Sequence, residues 1–294
     1  MTTISPIAFA IASMALQSLS DCVYKRGQVN GIVPETFLVF QSYTFGVTAL
    51  ATTLVQGTFP AEPTAWKYGP VCGGLAFCAF YFFLKSLRLG QVSVNTMIFR
   101  MSFVLTALLA TVFLDESLTF PKIIGLLAAF TSVLCLTVLP NLIRKPTADA
   151  ADIQSRKIFL RLPLLAFLCL GLLSFVYKLA ALEKIPSSGL IFIQFTFFSP
   201  LAMIYAAFRR KFYLHLPSIK HGLTAGVLLS SASILLVSAL ERGEAGIMVP
   251  INQMSFGLTA LLAVFWFKEK WSLPKTLGML LATGAVYLLS SVGL

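Results

Sequence analysis

Arg100 lies inside a hydrophobic run, whereas the other lysines and arginines of this 294-residue chain flank the ends of such runs. It falls eight residues into an apolar stretch covering residues 93 to 114, about 12 Å deep at about 1.5 Å per helical residue. A charge at the centre of a lipid-embedded helix costs about 2.5–3.5 kcal/mol on insertion scales, so such a group faces a bundle interior or water. Its planar five-donor fork matches a carboxylate. Binding a substrate carboxylate is therefore one chemistry open to it; a structural pair with Asp21, or snorkelling of the long stem, is the other. Asn252 and Gln253 make the corresponding turn of a later stretch polar but uncharged. They supply either a neutral hydrogen-bonding wall opposite the arginine or ordinary interhelical amide bonds.

Other polar groups within apolar runs are Gln17, Asp21, Gln41, Gln194, Ser174 and Tyr177. Gln41 and Gln194 hold equivalent places in two stretches, which suggests a shared structural or binding role. Asp21 is the one carboxylate within an otherwise apolar stretch. It is the candidate for coupling to protons, against a plain span-end pairing with Lys25 or Arg26. At helical spacing Asn95, Phe99, Ser102 and Thr106 share a face, and Met248, Asn252, Ser255 and Thr259 share its counterpart. These faces either line a cavity or pack tightly. Tyr81, Phe77 and Phe99 could form an aromatic wall, although with 26 phenylalanines in the chain filling a core is the commoner use. Glu116 and Glu269 end two stretches and read as caps or gates rather than substrate ligands. Pro200, in mid-stretch, frees a backbone bond and is a candidate hinge.

What must position these groups follows from composition. Hydrophobic residues make up 57% of the chain and charged ones 11%, which no ordinary water-soluble domain reaches. Crossing about 30 Å of hydrocarbon takes about 20 apolar residues. Ten windows of that kind occur, at residues 5–24, 34–56, 66–88, 93–114, 121–140, 158–180, 187–208, 220–240, 246–267 and 274–293. The longest connection is too small for a soluble domain, so the predicted fold is an all-α bundle of ten membrane-spanning helices.

The second half repeats the first. Met101 to Ala110 recurs as Met254 to Ala263 with one difference, Val104 against Gly257. The same offset of 153 pairs Val23-Tyr24-Lys25 with Val176-Tyr177-Lys178, Gly69 and Gly73 with Gly222 and Gly226, Glu116 with Glu269, and Pro121-Lys122 with Pro274-Lys275. Residues 1–141 and 154–294 are thus two copies of one five-span unit joined by a linker at 142–153. Five is odd, so the second copy enters the membrane from the opposite side, giving an inverted repeat. Charges agree: Lys85 and Arg88 become Ser238 and Glu241, while Gln56, Gly57 and Thr58 become Arg209, Arg210 and Lys211. The odd-numbered loops carry 16 of the 22 lysines and arginines and the even-numbered loops five. By the positive-inside rule the former face the cytoplasm, which puts both termini outside.

Several function classes drop out. The net charge of +11 is spread over span ends rather than gathered into a nucleic-acid-binding stripe. Five cysteines lie inside apolar windows without metal spacing, beside only two histidines, and read as packing residues. No HExxH, Walker or hydrolase signature is present, so the chain reads as neither an enzyme nor an ATP-driven pump, and no cofactor or metal is called for. The N-terminus lacks a basic n-region, and the first span is expected to be retained. A passive channel is a weaker fit, since selectivity rings usually come from oligomers whereas an inverted repeat points to alternating access.

The small-residue spans, the run Ser102 to Ala110, a glutamate six residues on and a glycine in the next span, repeated as Ser255 to Ala263, Glu269 and Gly278, resemble the drug/metabolite transporter superfamily in its EamA branch. The resemblance covers essentially the whole chain. The family often has proline near the positions of Val104 and Gly257, which this chain lacks there. In length and span count the chain is similar to YddG-like exporters of aromatic amino acids. The resemblance implies a secondary transporter of the bacterial inner membrane, active as a monomer among membrane lipids. It would export small metabolites, amino acids above all, by alternating access around a central cavity, driven by protons or by downhill flow. Drugs or polyamines are the alternative cargo, disfavoured by a positive clamp. Family members usually keep their termini in the cytoplasm, opposite to the orientation that the charges give here.

Overall fold

Apolar runs of this length in lipid satisfy their backbone groups only as helices, and helix is what the computed structural model contains. It describes residues 5–60, 63–89, 98–137, 153–209, 213–267 and 273–292. In chain order the helices are α1 (Pro6–Val29), α2 (Pro34–Gln56), the short α3 (Pro63–Trp66), α4 (Tyr68–Leu89), α5 (Ser102–Phe113), α6 (Phe120–Thr137), α7 (Ile153–Leu182), α8 (Ser187–Arg209), α9 (Leu216–Leu240), α10 (Ala245–Gln253), α11 (Ser255–Phe267) and α12 (Leu273–Val292). Each of the ten expected spans is occupied by helix, the ninth by α10 and α11 together. Proline opens α2, where a missing N–H costs nothing. Gly57, at φ 63°, closes α2 in the left-handed conformation and donates its N–H to the Leu54 carbonyl at 3.3 Å, an end that favours glycine.

Among the described residues six helices have both the length and the apolarity to cross a membrane, and three shorter ones are also apolar. Their surfaces are inverted relative to a water-soluble bundle. Leu108, Leu127, Leu168 and Ile204 are exposed in mid-helix, whereas Gln41, Gln194, Arg100 and Asn252 are buried. The chain is a multi-pass membrane protein.

Two compact units are present, and each draws on both sequence halves. One comprises Met1–Phe77 with Phe175–Gly243, the other Cys78–Ser174 with Glu244–Leu294. Within the first, the small-residue pairs let backbones meet. A methyl group on Gly73 of α4 would lie 2.9 Å from the Gln194 carbonyl oxygen of α8, and one on the equivalent Gly226 of α9 would stand closer still to the Gln41 carbonyl oxygen of α2. These are one contact made twice with the copies exchanged. Glycine spacing of this kind is what allows such approach in lipid. Ser13 ties α1 to α9 by donating to the Ala232 carbonyl at 2.6 Å.

In the second unit α6 packs on α12, where a methyl on Gly125 would come within 2.9 Å of Leu289, and Ser132 donates to the Gly278 carbonyl. Thr106 of α5 donates to the Gly171 carbonyl of α7 at 3.0 Å, and a methyl on Gly171 would sit 3.0 Å from the Ser102 carbonyl oxygen. The Ser102–Thr106 face therefore packs against α7.

Candidate substrate site and membrane family

Two helices are interrupted at repeat-related methionines. Met101, φ −70° and ψ −1°, precedes α5, and Met254, φ −67° and ψ 0°, separates α10 from α11. At each break the N–H three residues on bonds to the methionine carbonyl at 2.9 Å, from Val104 in one copy and Gly257 in the other. Such a single tight turn inside a span often marks a hinge. Pro250 in α10 does not explain it, because the first copy breaks at the same place with Met97 as the equivalent residue.

The residues just before the two breaks meet. Arg100 donates from Nη1 to Gln253 Oε1 at 3.1 Å, with the side chains 5% and 3% exposed. They are repeat equivalents, so the bond joins corresponding turns of the two copies. Gln253 offers the guanidinium a dipole rather than a counter-charge. Asn252 is buried beside it. Phe99, one residue before Arg100, stacks on Phe83 with ring centres 4.2 Å apart and planes 16° apart, and Phe80 lies 6.4 Å from it. A planar cation next to an aromatic cluster suits a solute carrying a carboxylate and an apolar or aromatic side chain.

A second repeat-related pair lies in the other unit. Tyr24 donates to Gln41 Oε1 at 2.6 Å, and Tyr177 makes the equivalent bond to Gln194. Both glutamines are buried, and the Gln41 Nε2 has no hydrogen-bond partner among the described residues. The repeated Val-Tyr-Lys motif thereby gains a physical account. Its tyrosine holds the span-centre glutamine, and Lys178 caps the end of α9 by donating to the Leu240 and Gly243 carbonyls at 2.9 and 2.6 Å.

Models of the EamA-like transporter family match the chain twice, over residues 4–138 and 158–291. The chain belongs to the EamA-like transporter family. The double match covers both copies, and the membership places this transporter in the drug/metabolite transporter superfamily. It is 32% identical over 72 residues to an uncharacterized protein, MJ1333.1, of Methanocaldococcus jannaschii, an alignment of 24% of this chain and 53% of that relative. A protein of known crystal structure superposes on it with a TM-score of 0.78 at 14% identity, over 98% of this chain and 97% of the other. That likeness concerns the fold alone.

The transporter's other expected site residues divide. Glu116, after α5, accepts the N–H groups of Ala245 and Gly246 at 2.6 and 2.9 Å and so caps α10, which belongs to the other copy. Tyr81 is half-buried and accepts a hydrogen bond from Lys85 at 3.2 Å. Phe77 packs against Val39, Ala202 and Ala206, and the rings in contact with Phe99 are Phe80 and Phe83. Ser174 is buried on α7, and Asp21 is half-buried on α1, one turn before Lys25. Pro200 is exposed on α8, which runs unbroken from Ser187 to Arg209. Asn95 and Glu269 lie outside the described residues.

Sequence reasoning did not single out Lys122, Glu244 or Gly246 as functional. Lys122 is wholly buried and donates to Glu116, Glu244 and the Ser117 carbonyl at 3.3, 2.8 and 3.1 Å. The usable signal was the recurrence of Pro-Lys at 121–122 and 274–275.

Proposed function

We propose that this transporter exports small carboxylate-bearing metabolites, amino acids including aromatic ones, by alternating access. One observation carries the reading: a buried arginine at a helix break, held by the repeat-equivalent glutamine at 3.1 Å and flanked by stacked phenylalanines. Arg100 takes the substrate carboxylate in bidentate fashion. Gln253 and Asn252 accept and donate to the amino end, and the Phe80, Phe83 and Phe99 cluster receives an apolar side chain. A cation would meet like charge here, which disfavours polyamines and cationic drugs. The tight turns at Met101 and Met254 serve as pivots, and the inverted copies provide two nearly equivalent packings between which the protein exchanges.

Uptake of tritiated amino acids into proteoliposomes, comparing the parent with Arg100→Ala and Arg100→Lys, tests this. Losing a charge-assisted bond of about 1.5–3 kcal/mol should raise the apparent KM about 10- to 150-fold in Arg100→Ala. Lysine should restore only part of it, because it lacks the planar fork. Equal transport by parent and Arg100→Ala would remove the arginine from the mechanism, and faster uptake of putrescine than of any amino acid would overturn the substrate class.

A further inference from the structure

α10 is nine residues long and is separated from α11 by the turn at Met254, so its position depends on what holds its two ends. One end is Gln253, bonded to Arg100. At the other, the first-turn N–H groups of a helix have no acceptor of their own, and here those of Ala245 and Gly246 are taken by the two carboxylate oxygens of Glu116 at 2.6 and 2.9 Å. The carboxylate is itself held. Lys122 Nζ lies 3.3 Å from Glu116 Oε2, 2.8 Å from Glu244 Oε2 and 3.1 Å from the Ser117 carbonyl oxygen, which uses all three of its protons. Glycine leaves this pair undisturbed: a methyl on Gly246 would stand 2.9 Å from Lys122 Nζ and 3.1 Å from Glu116 Oε2, so both side chains would have to shift.

We propose that Glu116 is a positioning residue for transport: through α10 it sets the register of Gln253 against Arg100, with Lys122 fixing the carboxylate's orientation. Its effect on transport rests on the reading of Arg100 and Gln253 as the substrate pair; its effect on α10 does not. The complete set of groups occurs in one copy of the sequence. In the sequence Glu269 and Lys275 repeat Glu116 and Lys122, but Gln91 and Ser93 stand where Glu244 and Gly246 stand. The duplicate therefore lacks the second carboxylate and the glycine. An interaction absent from one copy of an inverted repeat biases the exchange between the two packings.

The test uses the full-length protein in lipid nanodiscs and hydrogen–deuterium exchange resolved along residues 245–254. In Glu116→Gln, which keeps the size but presents an N–H₂ where an acceptor oxygen stood, the amides of Ala245 and Gly246 should exchange at least tenfold faster. The amide of Met254 at the far end should accelerate with them, while α9 stays protected. Lys122→Met, a second variant should the first not yield monodisperse protein, should show the same pattern more weakly. Acceleration confined to Ala245 and Gly246, or none, would overturn the inference, since the effect would not reach Gln253. In proteoliposomes loaded for tritiated phenylalanine exchange, Glu116→Gln should add no further loss in a Gln253→Ala background, and additive losses would count against action through Gln253. If the parent moves no phenylalanine, the substrate reading fails and the exchange data still decide the role of Glu116.

Discussion

Gly73 and Gly74 are adjacent in α4, yet the structure gives them opposite roles. A methyl on Gly73 would lie 2.5 Å from Phe197 Cβ, 2.9 Å from the Gln194 carbonyl oxygen and 2.9 Å from the Phe198 nitrogen, whereas one on Gly74 meets nothing within 4 Å. Ordinary carbon contacts need about 3.5 Å or more, so Gly73→Ala must push α4 and α8 apart by several tenths of an ångström. The atoms in the way are main chain or Cβ and cannot rotate aside. Overpacking of this kind costs about 1–3 kcal/mol, and in lipid, where helices associate through packing rather than apolar burial, little offsets it. Alanine also favours helix over glycine by about 1 kcal/mol. Gly73→Ala should therefore come out about neutral to 2 kcal/mol less stable than the parent, and Gly74→Ala up to about 1 kcal/mol more stable. Intrinsic-fluorescence melting of the three proteins in one detergent, with monodispersity checked by size exclusion, measures the order. Equal melting temperatures for the two variants, or a lower one for Gly74→Ala, would refute the close approach of α4 to α8.

Lys178→Met should destabilise the protein by about 1.5–3 kcal/mol, the range for a hydrogen bond to a charged group, because it uncovers the Leu240 and Gly243 carbonyls; thermal melting in detergent reads this, and an unchanged melting temperature would contradict the cap. Glu241, just after α9, is held above the usual carboxylate range by burial, with Arg242 opposing that rise. A raised carboxyl contributes stability below its unfolded-state value that is lost as the pH rises through the folded-state value. Glu241→Gln should thus melt higher than the parent at pH 7 and no higher at pH 4, and a gain of equal size at both would rule out the burial effect.

Much of the site was legible because duplication leaves an exact offset in the residue order. Arg100 and Gln253 are recognisable as equivalents without any coordinates, and so are Gln41 and Gln194, since each stands out against apolar neighbours. Their partners were not legible. Helical periodicity says which residues share a face, but not which helix faces them. Ser102 and Thr106 could line a cavity or pack, and Gly171, 65 residues beyond Thr106, decides for packing.

Hydropathy, charge bias and the 153-residue repeat determined that this chain crosses a membrane ten times as two inverted copies, because in lipid the solvent itself enforces helix and length. Only the tertiary structure decided that each compact unit is built from parts of both copies, that both central spans break at a methionine, and that Glu116 of one copy caps a helix of the other. The shared units and the cap rest on hydrogen bonds and close helix approaches between residues more than a hundred positions apart, which local pattern does not encode.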